Sequence, residues 1–455
     1  MPKAALREIL LAAGCDADKG RDVDIVGDDP VLPIPCRVAA AGAAALGALG
    51  LAVADVSERT QRVSVNARAA AISLRSATYL RVNGNPPPPV WDPLSGFYPV
   101  RDGWISIHCN FPNHRDAALD VLGVNANRAV AEDASRTWEG EALEDAIHGA
   151  GGCAGYVRTN EAWKGHPQAG AVQTQPLIEI ERIGDAPPEP LHPASRPLAG
   201  VRVLDLTRVL AGPTCAKSLA EHGAEVLKIS AAHLPDSGLI ELDTGIGKRS
   251  ARLDLRTPED MKVLQGLASG ADVFVQSYRP GALARRGFSA EALAELRPGI
   301  VCASLSAWGP TGPWRERRGF DSIVQAVSGI AHAYRDGAKP RLLPVSAIDY
   351  VSGYLMAFGV CVALARRARV GGSWLVRVAL ARVGKWIVDR GTAQDYASMP
   401  NELPEAELAA LLGEMDAPDG RIRYLKPVLE LSATPPYFAR PPVPLGYHQP
   451  VWTSS

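Results

Sequence analysis

The chain has 455 residues, of which 47% are hydrophobic and 21% are charged, which is typical of a folded protein with two or three domains. Its formal net charge is -1 and both signs are interspersed, so a nucleic-acid-binding surface is not expected. The seven cysteines show no CxxC spacing and no paired histidines nearby, which favours free thiols in a reducing cytoplasm over a disulfide framework or a metal site. The acidic residues among the first thirty are unlike a secretory signal peptide, so we expect a cytoplasmic protein.

The N-terminal part predicts a small mixed α/β domain over residues 1–184. An Ala- and Gly-rich apolar run predicts a buried helix over 38–56, because a membrane span would contain more Leu, Ile and Phe. Further predicted elements are a strand at 62–66, a helical stretch at 67–80, a strand at 103–108 and a helix at 113–122. Gly84 opens the loop GNPPPP, which fits neither a helix nor a central strand.

Residues 185–197, DAPPEPLHPASRP, form the clearest predicted linker. The first unit after it is a strand at 201–206, a turn, a helix that begins at Pro213 and a second strand at 224–229. Further predicted elements are strands at 250–255, 271–277 and 300–306, and helices that start at 258, 289 and 351.

This alternation predicts an α/β fold, with a doubly wound, parallel, Rossmann-like sheet in a large domain at 198–390 and an extension at 391–455. Ligands of such sheets bind where strands end and helices begin. The turn at 207–213 is therefore the first candidate ligand site.

The sequence also contains a weak internal repeat. Residues 46–74 and 356–387 both read as an Ala-rich helix, a polar stretch, an alternating Val strand and a further helix that opens with Ala-Arg. Two unrelated pieces of the same pattern would look alike, but the shared Val-x-Val and Ala-Arg at matching places favour a duplication.

Six motifs follow one another in a fixed order through the predicted large domain. They are LAGVRVLDLTRVLAGP at 198–213, HGAEVLKI at 222–229, GKRSARLDL at 247–255, QSYRPGALARRGF at 276–288, SAWGPTGPWRERRGFD at 306–321 and SAIDYVSGY at 346–354. Through them the chain resembles the large domain of the family III CoA-transferases, the CaiB/BaiF family. RSATYLRVNG and FYPVRDGWISI in the N-terminal part resemble the same family's smaller domain, and Tyr424–Tyr447 resembles its chain end. The resemblance thus implies a rearranged domain order.

The resemblance implies that Asp349 is a catalytic nucleophile acting on acyl-CoA and a carboxylic acid, with no permanently bound cofactor. A carboxylate can attack a thioester to give a mixed anhydride, which the released thiolate converts into an enzyme thioester. We expect the N-terminus of the following helix to favour the charged form of Asp349. Taken alone, an aspartate at such a place reads as a helix cap. Asp321, in GFD, is a second carboxylate that either positions the substrate or caps a turn.

The resemblance also implies the contacts to CoA. The nucleotide would lie against the turn Arg208, Val209, Leu210 and Ala211, with Lys248 and Arg285 near its phosphates and Ser277 and Tyr278 near the adenine or pantetheine arm. Ser230 and Ala231 replace an acid and an arginine that the family often has. The candidates to compensate are Arg249, Arg279 and Arg318, for each of which a solvated surface position is an equal alternative.

Two other functions stay open. An α-methylacyl-CoA racemase of the same fold pairs a histidine with an aspartate, but this chain has Phe320 where the racemase pattern has that histidine. A CoA-binding protein without catalysis is the other alternative. His108, His114 and His222 have no partner spacing, so we interpret them as core or surface residues. Family members form interlocked homodimers, which this chain either shares or mimics within one chain through its repeat; no membrane partner is expected.

Overall fold

The structure is a computed structural model of the chain, and it describes residues 1–57, 59–86, 88–89, 91–191, 194–235 and 238–453. The α-helices are α1 (Pro2–Ala12), α2 (Val38–Val56), α3 (Ala67–Ser73), α4 (Pro112–Leu122), α5 (Arg128–Ser135), α6 (Gly140–Gly149), α7 (Asn160–Lys164), α8 (Pro167–Gln173), α9 (Ala211–Glu221), α10 (Leu239–Gly245), α11 (Pro258–Ser269), α12 (Ala290–Leu296), α13 (Asp321–Val327), α14 (Ile330–Ala333), α15 (Ala347–Val370), α16 (Leu380–Val388) and α17 (Glu405–Leu411). The strands are β1 (Val23–Val26), β2 (Val63–Asn66), β3 (Arg81–Val82), β4 (Gly96–Val100), β5 (Gly103–Ile107), β6 (Ala154–Tyr156), β7 (Glu179–Gly184), β8 (Arg202–Leu206), β9 (Glu225–Ser230), β10 (Arg249–Arg252), β11 (Val273–Gln276), β12 (Val301–Ser306), β13 (Ser373–Ala379), β14 (Leu412–Ala417), β15 (Gly420–Leu425) and β16 (Leu429–Leu431).

Seven strands form one sheet in the order β10-β9-β8-β11-β12-β13-β7. The strands from β8 to β13 pair in parallel, and β7 joins the edge in the antiparallel direction. The predicted α/β class with a large parallel sheet is therefore confirmed. The division of the chain into domains stays a prediction; β7 precedes the predicted linker and still completes this sheet. Residues 192 and 193 of that linker lie outside the described residues.

The large sheet is covered on both faces because alternate residues of its central strands point to opposite sides. Val203 and Val275 pack in one core with α9 and α15. Leu204 and Phe274 pack in a second core with α11 and α12. The short apolar runs that predicted these strands are thus buried from both sides, as expected for a parallel sheet.

Two predicted helix starts differ from the structure. Helix α9 begins at Ala211, two residues before Pro213, and a proline is tolerated there because the first N–H groups of a helix have no intrahelical partner. Helix α15 begins at Ala347, so Asp349 lies inside its first turn and not ahead of it. The predicted helical stretch at 67–80 is divided into α3 and a 3₁₀ turn at Ser76–Tyr79.

The N-terminal part contains three smaller sheets and shares two of them with the C-terminal segment. Strands β4, β5 and β6 form an antiparallel sheet, whereas β16 pairs with β2 and β15 pairs with β3. The chain end then returns to the large sheet, where the backbone N–H of His448 donates to the Ser250 carbonyl at 2.7 Å. The indole N–H of Trp452 donates to the Leu267 carbonyl at 3.0 Å. The last segment therefore ties the two parts of the molecule together.

Helices α2 and α15 pack against each other in the shared core. By length and composition alone both are long enough and apolar enough to cross a membrane, but 83% and 100% of their most apolar windows are buried inside the protein. Both also begin a helix, strand, helix unit, α2-β2-α3 and α15-β13-α16, as the internal repeat predicts.

Candidate active site

The turn between β8 and α9 has the features of a ligand-binding loop. Val209 has φ of 68°, a left-handed conformation that is unusual for a β-branched residue and is found most often at functional sites. The backbone N–H of Arg208 donates to the Ser277 hydroxyl at 3.1 Å, so the turn is held against the end of β11. The predicted contacts at 208–211 and at Ser277 therefore lie together.

Lys248 supports this turn from beneath. Its side chain is 2% exposed, and Nζ donates to the Asp205 carboxylate and to the Pro213 carbonyl, both at 2.8 Å. Asp205 in turn accepts the backbone N–H of Thr207 at 2.9 Å. The charge of Lys248, which was expected near the phosphates, is thus used inside the protein. Arg249 is likewise buried, against Glu225.

Asp349 lines a cavity of about 300 Å³ between the two parts of the chain, here called the Asp349 cavity. Within the described residues no group donates a hydrogen bond to its carboxylate, and both carboxylate oxygens stay accessible. The lining residues include Thr78, Trp91, His108 and Asn110 from the N-terminal part, and Val209, Leu210, Ile240, Phe320, Leu343 and Val345 from the C-terminal part. Pro87 and Val90, in and just after the loop that opens at Gly84, lie outside the described residues.

Asp321 is engaged on both sides, in contrast to Asp349. One of its oxygens accepts the backbone N–H groups of Ile348 and Asp349, at 3.0 and 3.1 Å. The other accepts the side-chain amide of Gln325, whose own oxygen accepts the N–H of Leu343 at 2.9 Å. Asp321 therefore clamps the first turn of α15 to α13, and it leaves Asp349 as the free carboxylate.

The ionisation of this pair differs from the expectation. Burial raises the pKa of Asp321 to about 6, against the hydrogen bonds from Gln325, Asp349 and Ile348, which lower it. Burial, followed by the charge of Asp321, raises the pKa of Asp349 well above its usual range. The helix terminus does not hold Asp349 in the charged form because its N–H groups bond to Asp321 instead.

A polar network fixes the first turn of α15 to the N-terminal part. The Ser76 hydroxyl donates to Asp243 at 2.7 Å and lies 3.0 Å from the Tyr350 hydroxyl, and Lys217 donates to the same Asp243 at 3.0 Å. The N–H of Ala77 also donates to the Tyr350 oxygen at 3.3 Å. Tyr350 follows Asp349 in sequence, so the network sets where the carboxylate lies. Sequence reasoning missed this network because its members are spread over 274 positions.

His108 also lines this cavity, although no sequence pattern selects it. It follows β5, and its ring stacks on Phe320 with a centroid distance of 4.0 Å and an interplanar angle of 11°. Phe320 precedes the clamp residue Asp321 in GFD. Phe320 stands where the racemase pattern has a histidine, and His108 from the N-terminal part of the chain stacks on it.

Three arginines gather near His114 on α4: Arg208, Arg279 and Arg318, here called the arginine cluster. Burial, and then the charges of Arg318, Arg208 and Arg279, lower the pKa of His114 to about 4. In the part of the chain that the structure describes, no carboxylate lies within ion-pair distance of any of the three. A group of unpaired cations is a suitable site for an anion.

Tyr278 and Arg279 line a second cleft, of about 430 Å³, at the carboxyl ends of β11, β12 and β13. Arg285 is exposed on the 3₁₀ turn Ala284–Arg286, and its guanidinium lies beside Gly281 on the rim of this cleft. The cleft lies where ligands of parallel sheets bind.

Parts of this chain are similar to known proteins. Residues 198–408 match the model of CoA-transferase family III. The acetyl-coenzyme A transferase nodX of Hypoxylon pulicicidum is 36% identical over 211 residues, which are 44% of this chain and 36% of that protein. An acyl-CoA transferase of Gibberella moniliformis is 29% identical over 408 residues, 77% of this chain and 71% of that protein. A solved CaiB/BaiF family protein from Brucella suis is 26% identical, with coverage of 50% of this chain and 65% of that chain and a TM-score of 0.41.

Residues 198–408 therefore carry a CoA-transferase family III domain, and the family predicted from the motifs is confirmed for that part of the chain. The chain spans less than half of the length of most of the curated relatives it matches. The match to the Gibberella protein covers more of the chain than residues 198–408 alone can supply. That relative therefore shares sequence with the N-terminal part as well.

Proposed function

We propose that this protein transfers CoA from an acyl-CoA donor to a carboxylic acid acceptor, with Asp349 as the nucleophile. The observation that carries the proposal is the contrast between two neighbouring carboxylates. Asp321 accepts three N–H donors, whereas Asp349 accepts none from the described residues and is accessible in the cavity. Once ionised, the Asp349 carboxylate has free lone pairs for attack on a carbonyl carbon, whereas those of Asp321 are engaged by N–H donors.

The proposed chemistry needs no bound cofactor or metal. An oxygen of Asp349 attacks the thioester carbonyl carbon, the C–S bond breaks, and the CoA thiolate leaves a mixed anhydride on the enzyme. The thiolate then attacks the Asp349 carbonyl carbon and releases the donor acid, which gives an enzyme thioester. The acceptor carboxylate attacks the carbonyl carbon of that thioester, the C–S bond breaks, and a second mixed anhydride and the CoA thiolate are formed. The thiolate then attacks the acyl carbon of the acceptor, which gives the new acyl-CoA and frees the Asp349 carboxylate. Each step exchanges one acyl bond for another, so no oxidant or reductant is required.

The arginine cluster supports a site for the phosphates of CoA, together with the strained turn at Val209 and the N–H groups that begin α9. Arg208 of this cluster lies near the Asp349 cavity, because its guanidinium carbon is 5.2 Å from the ring of Phe111, which stacks with His108. We propose that the nucleotide follows the doubly wound, Rossmann-like sheet edge past Ser277 and Tyr278, with Arg318 and Arg285 as further contacts. Lys248 then acts as a support of the turn.

The size and walls of the Asp349 cavity support acyl groups of modest length. A volume of about 300 Å³ is at the lower end for small-molecule sites. Relatives carry names such as succinyl-CoA:glutarate CoA-transferase, from Homo sapiens. We propose short carboxylic acids as acceptors on this basis. The seven free thiols support a cytoplasmic location, which we also propose.

The test is chemical trapping of the enzyme adduct. After incubation with a panel of acyl-CoAs, hydroxylamine or borohydride should mark the tryptic peptide 342–366, which contains Asp349, and leave 319–335, which contains Asp321, unmarked. Asp349→Asn should lose transfer by about 10³-fold or more with little change in CoA binding. An Asn variant with full transfer, or turnover without a mark on 342–366, would contradict the proposal.

A further inference from the structure

His108 has a buried imidazole with one nitrogen that meets no partner. The residue is 5% exposed and is held by stacking on Phe320 at 4.0 Å and by Phe111 at 6.0 Å. Its Nδ1 is buried and has no hydrogen bond from the described residues. Buried polar atoms are nearly always paired, so this exception needs an explanation.

The other nitrogen of the ring, Nε2, is not fully buried. It has no hydrogen bond in the described part of the chain. His108 and Asp349 come from opposite parts of the molecule and both line the Asp349 cavity, so an accessible ring nitrogen has this cavity beside it.

The surroundings also decide the protonation of the ring. Burial, with a smaller contribution from His114, lowers the pKa of His108 to about 3, so the imidazole is neutral at physiological pH. A neutral imidazole carries one proton. A buried N–H without a partner is rarer and costlier than a buried lone pair without one, so the proton belongs on Nε2. His108 thus presents an uncharged N–H donor to the cavity.

We infer that this N–H binds the acyl carbonyl oxygen of the substrate and the oxyanion that forms when Asp349 attacks it. The inference rests on the proposed function, because it assigns a role within that reaction. The electron pair of the C=O bond moves to oxygen as the Asp349 oxygen bonds to carbon, and it returns when the thiolate leaves. The imidazole keeps its proton throughout. A fixed, desolvated donor of this kind is suited to stabilising developing negative charge.

The competing role for His108 is that of a base. A ring with its proton on Nδ1 would leave a lone pair on Nε2 to take the proton from the α-carbon of an acyl-CoA, opposite Asp349, as in a racemase. That arrangement would bury an unpaired N–H, which argues against it. The two roles differ in a measurable way, because only the base exchanges the α-proton with solvent.

The experiment compares His108→Phe, which keeps the stacking ring but has no donor, with His108→Gln, whose amide restores one. Single-turnover formation of the Asp349 adduct should slow by about 10²–10³-fold in the Phe variant. The Gln variant should recover at least about tenfold of this loss. The KM for acyl-CoA should change much less than kcat. His222→Gln is the matched control, since His222 is equally buried with an unpaired Nδ1 but does not line the cavity, and it should keep the wild-type rate.

Three results would overturn the inference. One is wild-type adduct formation in His108→Phe; another is a folded Gln variant that is no faster than the Phe variant. The third is incorporation of solvent deuterium at the α-carbon that depends on His108, which would assign the base role. Formation of the adduct by the wild type tests the proposed function, whereas the ratio of the variant rate to the wild-type rate tests the role of His108. Failure of one hypothesis can therefore be told from failure of the other. Absence of the adduct in the wild type overturns both.

Discussion

Asp349 and Asp321 are close in space, and their different surroundings give them different roles. Asp321 accepts the N–H groups that begin α15, so its carboxylate stabilises the start of that helix. Asp349 is left buried and without donors from the described residues, which raises its pKa. Two carboxylates with different surroundings are a common arrangement where one group reacts and the other supports it. The reactive group is then a cost to stability.

This cost predicts the effect of Asp349→Asn on stability. The folded-state pKa of Asp349 lies above its unfolded value, so ionisation destabilises the fold as the pH rises, and no cost remains below about pH 4. The Asn variant does not ionise, so it should be more stable than wild type at neutral pH, by about 1–2 kcal/mol. The difference should shrink as the pH falls. Urea unfolding at several pH values measures it.

Asp321→Asn is the control for this prediction because it makes the same chemical change in the same cluster. One end of an asparagine amide donates, so one of the N–H groups that Asp321 now accepts would lose its acceptor. This loss should cost about 1–3 kcal/mol and offset the gain from removing an ionisation that burial also disfavours at Asp321. Asp321→Asn should therefore be less stable than Asp349→Asn at neutral pH, and equal stability of the two variants would contradict the division of roles.

Part of the candidate site could be selected from the sequence, because Asp349, Arg208 to Ala211 and Ser277 stand inside local motifs; their roles stay predictions. The burial of Lys248 could not be foreseen, because its partner Asp205 lies in another motif and a buried pair leaves no local signal. The position of His108 in the site could not be predicted for the same reason, because it depends on stacking on Phe320, which is more than two hundred positions away.

At the scale of elements, the contact between α9 and α15 places the nucleophile beside the ligand turn. Gly353 of α15 faces α9 so closely that a Cβ atom there would lie 2.6 Å from the Ala211 carbonyl oxygen and 2.6 Å from the Cβ of Thr214. Only a glycine permits this approach without a shift of the helices. The first turn of α15, with Asp349, is therefore held against the turn that ends β8.

Gly353→Ala tests this contact. The added methyl group must push the two helices apart, which should destabilise the protein by about 1–3 kcal/mol. It should also lower kcat, because Asp349 moves with its helix. Gly266→Ala on the exposed face of α11 is the matched control, since its Cβ would meet nothing within 4 Å and a helical alanine should stabilise by about 0.5–1 kcal/mol. A stable, fully active Gly353→Ala variant would show that the contact does not position the site.

The strands of the large sheet followed well from the sequence, whereas the start of helix α15 did not. Buried strands of a parallel sheet are short apolar runs between turn residues, and β8, β9, β11 and β12 all lie within two residues of their predicted bounds. Local pattern does not show where tertiary contacts extend a helix. Helix α15 starts four residues before its apolar pattern because Asp321, from another segment, accepts the N–H groups of its first turn.

At the scale of the molecule, the N-terminal and C-terminal parts of one chain both line the Asp349 cavity. The N-terminal part contributes Thr78, Trp91 and His108, and the C-terminal part contributes Asp349 and Phe320. Helices α2 and α15 bury each other, and each begins one of the two helix, strand, helix units of the predicted repeat. The sequence indicated the repeat but not this pairing, since two Ala-rich helices carry no signal for which faces meet.

The last prediction concerns assembly. A homodimer is the form that the family resemblance implies, and we propose that catalysis does not depend on one, because both walls of the cavity belong to the same chain. Activity per milligram should therefore stay constant on dilution from micromolar to nanomolar protein, whatever mass light scattering reports relative to the 48.2 kDa of one chain. Carrier protein in every dilution controls for surface loss. A fall in activity that parallels dissociation of a dimer would mean that a second chain completes the site.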